Sequence, residues 1–63
     1  LSKGVPQVTT PDYRVGDRVR HIKFGEGTVK ALDREARDYK VTVQFDQAGM
    51  KIMYAAFAKL QKI

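Results

Sequence analysis

Few residues in this sequence have side chains suited to catalysis, and their spacing keeps them apart. His21 is the sole histidine. As a metal ligand or general base it would need a second histidine, a cysteine or a carboxylate pair beside it. There is no cysteine, and the carboxylates do not cluster. Ser2 is the sole serine, far from His21 in an N-terminal segment, so a nucleophile triad is excluded. Gly25 and Gly27 could open a phosphate loop. A third glycine is missing, however, and the chain runs on into a strand rather than a helix N-terminus. A tight turn with positive φ is the expected use of the pair. No enzyme active site is expected within these residues, and no metal or cofactor of their own.

Binding chemistry is better supplied. The chain of 63 residues carries a net charge of +5. Residues 1–12 contain only Lys3 and Asp12, which cancel, so the excess lies in 13–63. A basic balance favours polyanions or acidic protein surfaces. Acidic residues interrupt it: Asp17 precedes Arg18 and Arg20, and Asp33 to Asp38 alternates in sign. A methyl-lysine cage would need several aromatics around one point. Tyr39, Phe45 and Phe57 are expected in the core, which leaves Tyr13, Phe24 and Tyr54 on three separate elements. A cage is not expected.

The elements that position these residues are short strands. Residues 1–12 hold both prolines and show no apolar periodicity, so they read as a flexible linker. The folded part is expected over 13–63. Asp17 to Ile22 forms the first strand, with Val19 and His21 on the inner face and Arg18 and Arg20 on the outer. His21 is there a packed imidazole bonded to local backbone. Thr28 to Leu32 forms the second, with Val29 and Ala31 opposite Thr28, Lys30 and Leu32. Asp33 to Asp38 is a charged hairpin loop. Tyr39 to Phe45 is the clearest strand: Tyr39, Val41, Val43 and Phe45 alternate with Lys40, Thr42 and Gln44. After a turn at 46–49, Met50 to Tyr54 sets Met50, Ile52 and Tyr54 on one face and Lys51 and Met53 on the other. Ala55 to Ala58 is one helical turn, and Leu60 to Lys62 closes the fold. Five short strands with a helical turn before the last define an all-β, five-stranded SH3-like (Tudor-like) barrel. Closure hides most strand edges. No apolar run approaches the roughly 20 residues that cross a bilayer, and no signal peptide is visible. The chain opens on Leu1 rather than methionine, as expected of a piece of a longer protein.

A resemblance now becomes legible. Gly16 to Val29 (GDRVRHIKFGEGTV), Val41 to Phe45 (VTVQF) and Gly49 to Ile63 (GMKIMYAAFAKLQKI) resemble the C-terminal domain of the bacterial PcrA and UvrD helicases, in the form nearest to PcrA of Gram-positive bacteria. The likeness covers about residues 13–63. It implies an ATP-dependent superfamily 1 DNA helicase whose motor domains, with their ATP and Mg²⁺, lie outside this chain. It also implies a cytoplasmic bacterial setting and a monomeric domain. The family's domain is implicated in docking on RNA polymerase, which links the helicase to transcription and DNA repair. Similar folds in the transcription-repair coupling factor and CarD-like regulators bind the polymerase β subunit, partly through strand edges. The alternative is an accessory DNA- or RNA-binding barrel.

A small barrel docks by adding a partner strand to an edge or by a patch of aromatic and basic anchors. Lys51 is the first candidate, because it interrupts an apolar strand and matches a lysine of the family motif. Ile52, Met53 and Tyr54 can add apolar contact, and Phe24 can sit exposed between glycines. Arg18, Arg20 and Lys40 are expected to face outward.

Overall fold

In the computed structural model residues 11–63 are described. Most of the linker expected over 1–12 therefore lies outside the described residues. Five strands and one helical turn follow: β1 (Arg18–His21), β2 (Gly25–Arg34), β3 (Tyr39–Phe45), β4 (Gly49–Tyr54), α1 (Ala55–Ala58) and β5 (Gln61–Lys62). All pairings are antiparallel, in the order β4-β3-β2-β1-β5. The all-β expectation holds, and β3 occupies the span read from its alternation.

That alternation builds the core. Val41, Val43 and Phe45 of β3 are buried, and Val19 of β1 and Val29 of β2 pack with them. Tyr13 joins from the N-terminal side; Ala58 and Leu60 cover the assembly from the α1 end. Burying a Val or Phe side chain contributes about 1.5–3 kcal/mol, so this cluster is the main source of stability.

The two glycines at the start of β2 have different tasks. Gly25 has φ 80°, which lets the turn after β1 fold back. Gly27 pairs with Phe45, and a Cβ there would lie 2.7 Å from the Gln44 carbonyl oxygen and 2.9 Å from the Phe45 ring. Its missing side chain makes room for Phe45, the largest fully buried side chain among the described residues.

Several boundaries differ from the sequence expectation. β2 runs to Arg34, so the charged loop shrinks to Glu35–Asp38, closed by the Glu35 N–H donating to the Asp38 carbonyl at 2.8 Å. A register shift between Val29 and Ala31 reverses the phase of β2. Val29 stands opposite Val43, but beyond the shift Leu32 stands opposite Val41 and packs on the core. Leu32 was expected on the opposite face to Val29, because strict alternation cannot count a bulge. Leu60 is a core residue just before β5. Phe57 was expected inside and is 84% exposed, because α1 turns Ala58 inward instead. The expected closure is also incomplete. β4 hydrogen-bonds only to β3, which leaves its other edge open.

Candidate protein-docking strand

The open edge belongs to the least polar exposed strand. Met50, Ile52 and Tyr54 alternate along β4 and are 54%, 65% and 43% exposed. Lys51 and Met53 point to the other side, where Met53 packs against the core. An edge strand ordinarily carries charge or proline on its exposed side to prevent pairing with another chain. Here that side carries three large apolar residues, and the lysine is on the inner phase.

Lys51 does not project with Met50 and Ile52. It stands opposite Val43, half-buried, with its Nζ 5.0 Å above the Phe24 ring. The same ring stacks on His21 at 4.6 Å and 21°. Phe24 and His21 both lean on Phe45, at 5.4 and 6.1 Å. The His21 Nδ1 accepts the N–H groups of Lys23 at 3.0 Å and Phe24 at 3.2 Å. Two donors at Nδ1 require that the neutral ring carry its proton on Nε2. His21 thus ties the β1–β2 turn to its own ring, the role expected of it. Phe24, expected as a possible exposed anchor, is half-buried between an imidazole and an ammonium. A cation over an aromatic face contributes about 0.5–1 kcal/mol where water reaches it, so Lys51 is held rather than free to swing.

The three outward basic residues each have a carboxylate. Arg18 donates to both oxygens of Asp46, at 3.0 Å from Nη1, and also to the Thr28 hydroxyl at 2.9 Å. Hydrogen bonding to Asp46 raises the Arg18 guanidinium above its usual range; the same bond holds the Asp46 carboxyl below the usual carboxylate value. Arg20 lies 3.7 Å from Glu26, and Lys40 lies 3.6 Å from Glu35. Glu35 also accepts the Tyr54 hydroxyl at 3.1 Å. These contacts set Tyr54 beside the β2–β3 loop.

Phe57 belongs with this strand and was missed. It lines a groove of about 580 Å³ with Tyr54, Ala56 and the loop residues Glu35 to Asp38. The groove continues the apolar row of β4 past its end. Its signal in the sequence was ambiguous, because Phe57 follows Met53 by four and precedes Leu60 by three, a spacing that suggests burial in a longer helix. A four-residue helix has no such face. The structure therefore sets Met50, Ile52 and Tyr54 on one exposed face of β4 and Phe57 in a groove with Tyr54. It places Lys51 and Phe24 behind them, Met53 half-buried against the core, Arg18 and Arg20 on β1, and Lys40 on β3. No cluster of metal-ligating groups occurs among the described residues.

A five-stranded antiparallel sheet around one small core, with a helical turn before its last strand, defines a Tudor-like domain. A family model described as the PcrA/UvrD tudor domain matches residues 15–62, and the chain belongs to that family. It is 43% identical over 51 residues to DNA helicase II of Salmonella typhimurium, covering 81% of this chain and 7% of that protein. It is 38% identical over 61 residues to DNA helicase II of Escherichia coli, covering 95% and 8%. It is 36% identical over 63 residues to the ATP-dependent DNA helicase PcrA of Leuconostoc citreum, covering 100% and 8%. The chain thus spans less than a tenth of the length of the curated relatives it matches. Both branches of the family match, so the narrower likeness to the Gram-positive form does not stand out.

Proposed function

We propose that this domain is the docking module of an ATP-dependent DNA helicase and that it attaches the helicase to RNA polymerase through the edge of β4. One observation carries the reading. The only side of β4 without a strand partner is flanked by Met50, Ile52 and Tyr54 on its exposed face. Main-chain bonds to an added strand supply affinity there, and the alternating side chains supply specificity. The matching ligand is an extended segment with apolar residues in every second position. Phe57 receives the segment's last apolar side chain in the groove beyond Tyr54.

The polymerase, and its β subunit in particular, is what the family resemblance implies. The net charge of +5 adds a preference for an acidic surface around the apolar segment. In this reading the domain itself is non-catalytic. ATP, Mg²⁺ and strand separation belong to the motor domains of the whole protein, which works in the bacterial cytoplasm. Among the described residues no helix is long and apolar enough to cross a membrane.

The test uses the 63-residue chain immobilised against purified, nuclease-treated RNA polymerase. Retention of the polymerase by the wild-type chain, and its loss with Ile52→Glu, supports edge docking. Equal retention by Ile52→Glu refutes it.

A further inference from the structure

A second surface lies at the opposite end of the sheet. β5 is the other edge, and it pairs with β1 so that Gln61 stands directly opposite Arg20. Arg20, Gln61, Ile22 and Lys59 line one groove of about 310 Å³. Two long cations thus converge on it from different elements, one from β1 and one from the end of α1. Gln61 adds a polar amide to the same lining. Ile22, at the tip of the β1–β2 turn, is 97% exposed on its rim.

Lys59 stands there against the backbone's own preference. Its φ is 52°, and it is the one described non-glycine residue in the left-handed region. It ends α1, with its N–H donating to the Ala55 carbonyl at 3.4 Å. Helices close most easily at this position with glycine, which has no Cβ to strain. A side chain kept where its absence would relieve strain points to a use for that side chain. The guanidinium of Arg20 has a carboxylate nearby, Glu26 at 3.7 Å, but that pair is loose and half-exposed. Such a pair contributes little and yields readily to a stronger anion.

We infer that the groove between Arg20 and Lys59 binds the phosphodiester backbone of single-stranded nucleic acid. The two cations take phosphate oxygens, and Gln61 donates its amide. Ile22 rests against an unstacked base or sugar. That apolar tip selects a single strand, because a duplex hides its base faces inside the stack. The groove shares no lining residue with the docking groove at the end of β4. One domain therefore has room to hold a protein on one edge and a strand on the other. Binding to so few phosphates is weak and lies in the range of non-specific contacts.

The experiment titrates a fluorescein-labelled oligothymidylate of ten nucleotides into the 63-residue chain at about 50 mM salt. Amide chemical shifts are followed in parallel. Expected are salt-weakened binding and shifts concentrated at Arg20, Ile22, Lys59 and Gln61. Removing one phosphate contact should lower affinity on the order of tenfold and flatten the salt dependence by about 0.7 in logarithmic slope. Lys59→Gly is the decisive variant. It removes the cation and relaxes the left-handed backbone, so its melting temperature should not fall while its binding does. Arg20→Gln should match it in binding. Lys30→Ala, which removes an exposed cation of β2 outside the groove, should bind the oligonucleotide as the wild type does. Unchanged binding by Lys59→Gly overturns the inference, as do shifts confined to β4. Preference for a duplex overturns the assignment to single strands. Binding of polyglutamate without binding of the oligonucleotide gives the groove to an acidic protein instead.

Discussion

The carboxylate of Asp38 accepts the backbone N–H of Ala56 at 3.0 Å, so a loop residue caps a helix from eighteen positions before the N–H it binds. The same carboxylate accepts the Tyr39 N–H at 2.7 Å. Tyr54, which precedes α1, offers no side-chain cap of its own. Asp38 thereby fixes the start of α1 against the β2–β3 loop. It sets Phe57 beside Tyr54 and shapes the groove at the end of β4.

The first prediction follows from that bond. Asp38→Ala should destabilise the domain by about 1 kcal/mol, the usual cost of removing an N-terminal cap. Asp38→Asn should recover most of the loss, because its amide oxygen can still accept. Urea denaturation measures both. Equal losses in the two variants would mean that the carboxylate's charge matters more than its capping bond.

A second prediction separates the two glycines. Gly27→Ala pushes a Cβ within 2.8 Å of the Phe45 Cα and nearer still to the Gln44 carbonyl, and neither backbone group can move aside. Overpacking of this kind costs about 1–3 kcal/mol. Gly25→Ala meets no atom within 4 Å and suffers only the strain of φ 80°, about 1–2 kcal/mol. Gly27→Ala is thus expected to lower the melting temperature more. The reverse order would show that the β2–β3 pairing is looser than the register implies.

Two groups give stability a dependence on pH. Hydrogen bonding to Arg18 holds the Asp46 carboxyl below the usual carboxylate value. The folded state therefore favours the charged carboxylate. That contribution is complete above the unfolded value and is lost as the pH falls through the folded one. Asp46→Asn should remove this part of the acid loss below about pH 4. Tyr13 works in the opposite direction. Burial, followed by the nearby charges of Asp12 and Asp38, raises its phenol above 10.0. Its contribution is present below the unfolded value and disappears as the pH rises through the folded one. Tyr13→Phe should flatten the alkaline limb, read by thermal melts across a pH series. An unchanged alkaline limb would assign that loss to other groups.

Much of this architecture can be read from residue order, and the exceptions have local causes. β3 is legible because the buried Val41, Val43 and Phe45 and the half-buried Tyr39 alternate with three polar residues without a break. His21 is legible because a lone imidazole in phase with Val19 has few other uses. The inversion at Leu32 is not, since one extra residue in β2 leaves no mark in composition. The outward face of β4 was readable only as two alternatives. Met50, Ile52 and Tyr54 form one set and Lys51 and Met53 the other, and hydropathy alone does not decide which is buried. Packing decides it: Met53 fits the core, while Lys51 finds the Phe24 ring. A lysine on the inner side of an edge strand is unexpected on polarity, and its long stem resolves the conflict by carrying the charge out over an aromatic face.

That resolution makes the final prediction a comparison between neighbours on β4. Ile52 points away from the core and Lys51 stands behind it, so they should affect docking differently. Ile52→Glu puts a charge into the face that an added strand would cover, and should abolish retention of RNA polymerase. Its melting temperature should stay close to the wild type, because an exposed residue away from special contacts typically changes stability by about 0.5 kcal/mol or less. Lys51→Ala removes the ammonium over Phe24 and should only weaken retention, with a loss of about 0.5–1 kcal/mol in stability. Lys51→Met keeps the apolar stem but loses the same ammonium over Phe24, so it should share that loss in stability, and docking should fall as far as it does with alanine. Polymerase retention and melting curves on the three variants provide the check. If Lys51→Met docks like the wild type, the charge has no part in recognition and Lys51 serves only to hold Phe24.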